Sequence, residues 1–196
     1  MAGAGRRNGH LRRGPSSRQR DLKRVLAFST ITDMGLLTAG VALGGQYGLA
    51  GAMLGAAVHG IGKALLFASV AGPEAEGERL RNARGLANRH PLSGTGFVIG
   101  ALAVLGVPPT LGYAGHWRIF AAASANPFLL AALAGATMLS VAMYGRAIAL
   151  FWWGPPDTPP PAVRGYSRNL LGATVILLSL AVLAGGIWPQ LFGGVK

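Results

Sequence analysis

The sequence predicts an all-α fold, a polytopic membrane bundle of about five transmembrane helices. Only 12% of the 196 residues are charged, about half the share found in soluble globular domains. Apolar residues, rich in Gly and Ala, form long runs close to the roughly 20 residues that cross a hydrocarbon core. Because charge is so scarce within these runs, the lipid bilayer is the solvent that fits them.

The first 24 residues predict a basic cytoplasmic tail, disordered or not native to the fold, ahead of a transmembrane bundle over 25–193. Eight of the 18 Lys and Arg residues lie in this tail, with Asp21 as its one acid. The tail lacks the apolar core of a secretory signal peptide. A basic segment beside a membrane span is typical of contact with anionic lipid headgroups. The net charge of +12 therefore indicates membrane lipids as partners and no nucleic acid.

Five segments have the length and composition of spanning helices. They cover about 25–44, 48–72, 92–122, 127–153 and 170–192. Pro108 and Pro109 interrupt the third, because adjacent prolines remove two backbone donors and clash with the preceding turn. Inside a membrane, such a break must face protein or a water-filled cavity, and broken helices recur at transporter ion sites. A kinked but sealed helix is the alternative.

The distribution of Lys and Arg predicts the orientation. Five spans in sequence place the tail, the 73–91 loop and the 154–168 loop on one side. The two loops contain six arginines: Arg79, Arg81, Arg84, Arg89, Arg164 and Arg168. The short connections near 45–47 and 123–126 contain none, and the basic residues expected toward that side are Arg118 and the terminal Lys196. Cytoplasmic loops carry the excess of Lys and Arg, so we expect an inner-membrane protein with a cytoplasmic N-terminus. Trp152, Trp153 and Trp188 lie at span ends, as interfacial aromatics do.

Four ionisable side chains lie inside the predicted spans, where a charge costs about 2.5–3.5 kcal/mol at the bilayer centre. Asp33 lies in the first span and His116 follows the break. His59 and Lys63, in the second, are four residues apart and share a helix face. One acid, one amine and two imidazoles suit a proton relay, since His titrates near neutral pH. Each His alone is more often structural, but the four together favour an ion path.

Sequence motifs for cofactor binding are missing from the chain. It has no Cys, which excludes thiolate metal sites and thiol chemistry. It has neither a GxGxxG opening a helix nor a Walker sequence. The residues therefore predict no cofactor, no metal and no redox active site in this chain. They do not decide whether the protein is an enzyme.

Three stretches occur in an informative order: "DLKRVLAFSTITDMG", "HGIGKALLF" and "RGLANRHPLSGTGFVIGALAVLGVPPTLGYAGHWRIF". Together, over about residues 21–155, they resemble the antiporter-like membrane subunits of respiratory complex I, their relatives in membrane-bound hydrogenases, and the large subunits of Mrp-type sodium/proton antiporters. The resemblance implies that His59 is the central relay histidine and Lys63 its companion. Asp33 stands where the family usually has His, in a central hydrophilic axis. His116 stands where it usually has a terminal Lys or Glu.

The resemblance also implies a function. It implies a proton-translocating subunit, or the C-terminal part of one, in a complex I-type NADH:quinone oxidoreductase. Its partners would be other membrane subunits, which would hold the quinone, flavin and iron–sulfur clusters. In an Mrp-type antiporter the cargo would include Na⁺.

The predicted number of spans opens further alternatives. Family members have about fourteen spans in two inverted repeats, so five spans suggest a fragment, a split gene or a truncated paralogue. A truncated paralogue would act as a structural or assembly element. The remaining alternative is a small independent channel or carrier.

Overall fold

The computed structural model describes residues 22–78, 80, 83–154 and 167–187. Over these residues the chain forms seven α-helices and no strand. The helices are α1 (Leu22–Leu43), α2 (Gly45–Ala75), α3 (Leu86–Arg89), α4 (Pro91–Val104), α5 (Gly112–Ala123), α6 (Pro127–Ala147) and α7 (Ser167–Ile187). A π-helical turn, Ile148–Trp152, continues α6. The predicted all-α fold is confirmed.

Four of the described helical segments are long and apolar enough to cross a membrane. They are α1, α2, α6 with its π-helical turn, and α7 from Asn169 onward. The third predicted span is instead a pair, α4 and α5, separated by residues 105–111 around the prolines. The Pro108–Pro109 peptide bond is cis. The chain is thus a polytopic helical membrane bundle with its third span broken where the sequence predicted the break.

Helix ends differ from the predicted bounds by a few residues. Helix α1 begins at Leu22, inside the segment predicted as tail, and α2 runs on to Ala75, through Pro73. The short α3 lies in what was predicted as a loop. Residues 1–21, the Pro-rich connection at 155–166 and residues 188–196, with Trp188, lie outside the described residues.

Helix α2 is the centre of the bundle, since it packs against α1, α4, α5 and α7. The largest apolar cluster joins the start of α1 (Leu22), α3 (Leu86) and the π-helical turn (Trp152). These three parts therefore lie at one end of the bundle, which we call the basic end. Lys23 also pairs there with Glu74 on α2, at 2.6 Å. Large apolar side chains such as Phe128 and Leu177 stay exposed on the flanks, as a lipid-facing surface requires.

Helix α7 covers the break in the third span. The Leu111 backbone N–H donates to the Val182 carbonyl oxygen at 3.1 Å. Within the break, the Thr110 hydroxyl donates to the Val107 carbonyl at 2.6 Å. A Cβ added at Gly186 would overlap the Pro109 carbonyl oxygen. This close approach leaves the non-helical backbone against protein, the setting that such backbone needs at membrane depth.

Candidate functional site

Asp33 of α1 contacts both His59 and Lys63 of α2. Its Oδ2 lies 3.1 Å from His59 Nδ1 and 3.5 Å from Lys63 Nζ. The three side chains are between 8% and 16% exposed, so water screens their charges weakly. Neither contact is aligned as a hydrogen bond at Oδ2, so Asp33 and Lys63 attract each other mainly through their opposite charges. The structure brings together three of the four sequence-predicted site residues.

Lys63 is surrounded by oxygen atoms from two other helices. Its Nζ donates to the Leu26 carbonyl at 3.1 Å, to the Ser29 hydroxyl, and to the Tyr144 hydroxyl at 3.3 Å. Ser29 comes from α1 and Tyr144 from α6, and both are fully buried. A buried charge is tolerated when it is paired and hydrogen-bonded. These contacts explain how a lysine can lie in the interior of the bundle.

Ser29, Ser140 and Tyr144 are polar residues of the site that the sequence analysis missed. Ser29 precedes Asp33 by four residues, which puts both on one face of α1. Thr137, Ser140 and Tyr144 repeat at helical spacing along α6, which is apolar apart from these residues and Arg146 in its last turn. This helical spacing is the sequence feature that could have predicted these polar residues as part of the site. It is weak, because single Ser, Thr and Tyr residues are common in membrane helices.

A partly open cavity of about 300 Å³ lies beside the Asp33 contacts, between α1, α6 and the α4–α5 break. Asp33 and His116 both line it, together with Ser140, Thr32 and Thr137. Ser140 is 4% exposed, and its hydroxyl has no hydrogen-bond partner among the described residues. A water molecule takes about 30 Å³ of liquid volume and needs two to four polar partners. The cavity is therefore large and polar enough to hold several waters between Asp33 and His116.

His116 is held against the break by two backbone features. Its Nδ1 lies 3.1 Å from the Gly112 carbonyl oxygen. Since a carbonyl can only accept, Nδ1 is the protonated nitrogen in this contact, which leaves Nε2 to take up or release a proton. Gly106 has φ +70°, and a Cβ there would lie 2.6 Å from Nδ1. The imidazole thus packs directly on the backbone that begins the break.

A second cluster of ionisable side chains lies at the basic end, outside the apolar spans. Arg89 pairs with Glu78 at 2.8 Å, and His90 lies 3.5 Å from Glu78 and 3.7 Å from Glu76. In the described part of the chain, no group of three or more His, Cys, Asp or Glu side chains could hold a metal ion. Opposite charges close to one another in this group are suited to fixing the segment between α2 and α4.

The sequence matches a family of known membrane proteins. Residues 14–141 match the family described as NADH:quinone oxidoreductase/Mrp antiporter, transmembrane. The chain belongs to this family. The match includes Asp33, His59, Lys63 and His116, and it confirms the resemblance seen in the sequence motifs. Tyr144 lies just beyond the matched region.

Individual relatives carry the name of one subunit. The chain is 33% identical over 179 residues to NADH-quinone oxidoreductase subunit N of Parafrankia sp. (strain EAN1pec), covering 88% of this chain and 34% of the relative. It is 33% identical over 187 residues to subunit N of Desulforudis audaxviator (strain MP104C), covering 88% and 37%. The chain thus spans about a third of the length of the curated relatives it matches.

Two solved structures of respiratory membrane complexes share the fold. A chain of an archaeal membrane-bound sulfane sulfur reductase superposes with a TM-score of 0.75 at 25% identity, over 89% of this chain and 36% of that one. A chain of respiratory complex I from Thermus thermophilus gives 0.66 at 27%, over 88% and 39%. The helix arrangement is therefore that of this family.

Proposed function

We propose that the chain belongs to the proton-translocating, antiporter-like part of a complex I-type NADH:quinone oxidoreductase. Protons move along Asp33, His59 with Lys63, and His116, and this movement is coupled to redox chemistry in partner subunits. The single observation that carries the proposal is the cavity that both Asp33 and His116 line. Asp33 also contacts His59 and Lys63, so one carboxylate links the residues of α2 to the cavity.

The chemistry of each group suits a proton step. Asp33 Oδ2 faces an imidazole nitrogen and an ammonium, so a change of charge on any one of the three alters the other two. Waters in the cavity would connect Asp33 to His116, whose Nε2 can accept a proton while Nδ1 stays bonded to Gly112. The partly open cavity that His116 lines would let it exchange protons with a partner subunit or with bulk water.

The proposed cargo is the proton, and Na⁺ is the alternative. A Na⁺ ion at this site would need the oxygens of Asp33 as ligands. Lys63 Nζ already lies 3.5 Å from Oδ2, and its positive charge repels a second cation. A proton avoids this conflict, because it can be taken up as one group of the cluster changes its charge.

The remaining subunits of the complex would supply what this chain lacks. The curated relatives are named as subunits of an oxidoreductase, and the solved neighbours come from respiratory membrane complexes. We therefore expect other membrane subunits as partners, with quinone, flavin and iron–sulfur clusters held outside this chain. The basic end, with Lys23, Arg24 and Arg146 in the described helices, is proposed to face the cytoplasm of the inner membrane.

Proton pumping by the assembled complex in vesicles tests the relay. Lys63→Ala and His116→Ala are each expected to lower pumping by about tenfold or more, because each removes a proton-carrying group. Native gels should show that the complex still forms. Lys23→Ala is the control, since Lys23 is an exposed residue paired with Glu74 at the end of the bundle. Unchanged pumping in both test variants would overturn the relay, and loss of assembly on deleting the chain would then indicate a structural role.

A further inference from the structure

One consistent set of donor directions describes the hydrogen bonds of a small buried group around Lys63. The Ser29 hydroxyl donates to the Leu26 carbonyl at 2.9 Å. The Tyr144 hydroxyl donates to Ser29 Oγ at 2.8 Å. A hydroxyl has one hydrogen to donate, so both are committed and both present lone pairs to Lys63. With the Leu26 carbonyl, Lys63 Nζ therefore faces three neutral oxygen acceptors.

Ser29 Oγ lies only 2.9 Å from the Leu26 carbonyl oxygen and 2.8 Å from the Tyr144 hydroxyl oxygen. Because the N–H bonds of an ammonium group diverge tetrahedrally, Nζ directs at most two of its three N–H bonds at these oxygens at one time. Asp33 Oδ2, at 3.5 Å, is a fourth neighbour outside this set. The charged lysine therefore keeps hydrogen bonds to neutral oxygens even when Asp33 is neutral or turns toward His59. Hydrogen bonds that do not involve Asp33 matter in a relay. Without them, a proton moving through Asp33 would leave the Lys63 charge buried without partners, which is costly.

The same oxygen atoms can hydrogen-bond to a neutral Lys63 if one hydrogen bond of the group reverses its direction. A neutral Lys63 amine carries a lone pair on Nζ. If Ser29 and Tyr144 kept the hydrogen-bond directions given above, this lone pair would face a lone pair of one of the oxygen atoms. The Tyr144 O–H can rotate about its C–O bond, leave Ser29, and donate to the Nζ lone pair. The Tyr144 ring need not move, and its edge-to-face contact with Phe97, at 6.3 Å, stays in place.

We propose that Ser29 and Tyr144 are positioning residues for Lys63, which hold its side chain in both charge states by reversing one hydrogen bond. This inference rests on the proposed relay and extends it to two residues that do not themselves carry the proton. Tyr144 lies 81 residues from Lys63 in sequence and Ser29 lies 34 residues away, so the group exists only in the folded bundle.

Nitrogen NMR of the purified chain in lipid bilayers tests the positioning directly. The sequence has three lysines, Lys23, Lys63 and Lys196, so labelling lysine Nζ with nitrogen-15 gives at most three side-chain signals. The signal absent from a Lys63→Met variant identifies Lys63. We expect Tyr144→Phe and Ser29→Val to shift this signal and speed the exchange of its protons with solvent. Ser29→Thr, which has the shape of Val but keeps a hydroxyl, should restore the native signal.

A control variant and a measurement of proton pumping distinguish the positioning role of Ser29 and Tyr144 from the proposed relay. Ser69→Ala removes a buried hydroxyl on α2 whose one hydrogen-bond partner among the described residues is Leu65 of the same helix, and it should leave the Lys63 signal unchanged. Proton pumping should fall roughly tenfold in Tyr144→Phe, on loss of a hydrogen bond to a charged group. An unchanged Lys63 signal in folded Tyr144→Phe overturns the positioning role, even if Ser29→Val fails to fold. A shifted signal with pumping unaffected by Lys63→Met supports the positioning role and overturns the relay.

Discussion

At the scale of single residues, Lys63 and His116 each depend on uncharged neighbours. Lys63 depends on two hydroxyls and a carbonyl, and His116 depends on two glycines. Gly106 has φ +70° and its Cα lies against the His116 ring. Gly112 supplies the carbonyl that orients Nδ1. The direction in which Nε2 points is therefore set by backbone geometry at the break.

Gly106→Ala should displace His116. The left-handed backbone costs a non-glycine residue about 1–2 kcal/mol, and the added methyl would also overlap the imidazole. We expect a lower thermal unfolding temperature together with reduced proton pumping.

Gly44→Ala is the matched control for this substitution. Gly44 also has positive φ, at +64°, but an added Cβ there would meet nothing within 4 Å. It should lower the unfolding temperature without changing pumping. Equal pumping in the two variants would contradict the idea that Gly106 positions His116.

At the scale of elements, the break between α4 and α5 depends on α7. The Leu111–Val182 hydrogen bond crosses from the break to α7, and Gly186 lets the two backbones touch. Pro108 and Pro109 prevent a continuous helix, and α7 provides the protein surface that their freed backbone requires. The broken span and α7 therefore form one structural unit.

Gly186→Ala should loosen this unit. Its Cβ would collide with backbone atoms of Pro109 and Thr110, which cannot rotate away as a side chain could. Overpacking of this kind costs about 1–3 kcal/mol, so the unfolding temperature should fall.

Gly135→Ala on α6 tests whether the effect comes from this contact. A Cβ at Gly135 would meet nothing within 4 Å, and alanine is favoured over glycine in a helix by about 1 kcal/mol. The unfolding temperature of the Gly135→Ala protein should stay the same or rise. A Gly186→Ala protein as stable as Gly135→Ala would show that α7 does not need this close approach.

At the scale of the whole molecule, charge and apolar surface are arranged for a bilayer. Lys23, Arg24 and Arg146 lie toward the basic end, where α1 begins and α6 ends. Arg118 of α5 lies toward the other end, against Gly51. Large apolar side chains are exposed along the flanks. The paired charges of Asp33 and Lys63 lie inside, so the outer surface keeps the low charge that lipid requires.

Labelling of single cysteines measures the orientation. The chain has no Cys, so each introduced thiol is the one that reacts. Ala75→Cys, exposed at the basic end, should react with a membrane-impermeant maleimide from the cytoplasmic side. Ala125→Cys, exposed in the opposite connection between α5 and α6, should react from the other side. The reverse pattern would contradict the proposed orientation.

The sequence by itself determined the features that depend on neighbouring residues. Hydropathy over about 20 residues predicted the spans, because a bilayer imposes that length on any helix that crosses it. Pro108 and Pro109 predicted the break, because their rings and missing N–H groups act locally. The four-residue spacing of His59 and Lys63 predicted their shared face, because 3.6 residues make one turn.

Only the tertiary structure decided which helix faces meet. That Asp33 contacts both His59 and Lys63, and that a cavity joins Asp33 to His116, depends on how α1, α2 and α6 pack. The hydrogen bond between Tyr144 and Ser29 joins residues 115 positions apart, a separation over which no local pattern operates. In lipid, packing and buried polar contacts select the helix pairs. Those contacts are made by ordinary Ser and Tyr residues, whose role becomes visible when the helices are assembled.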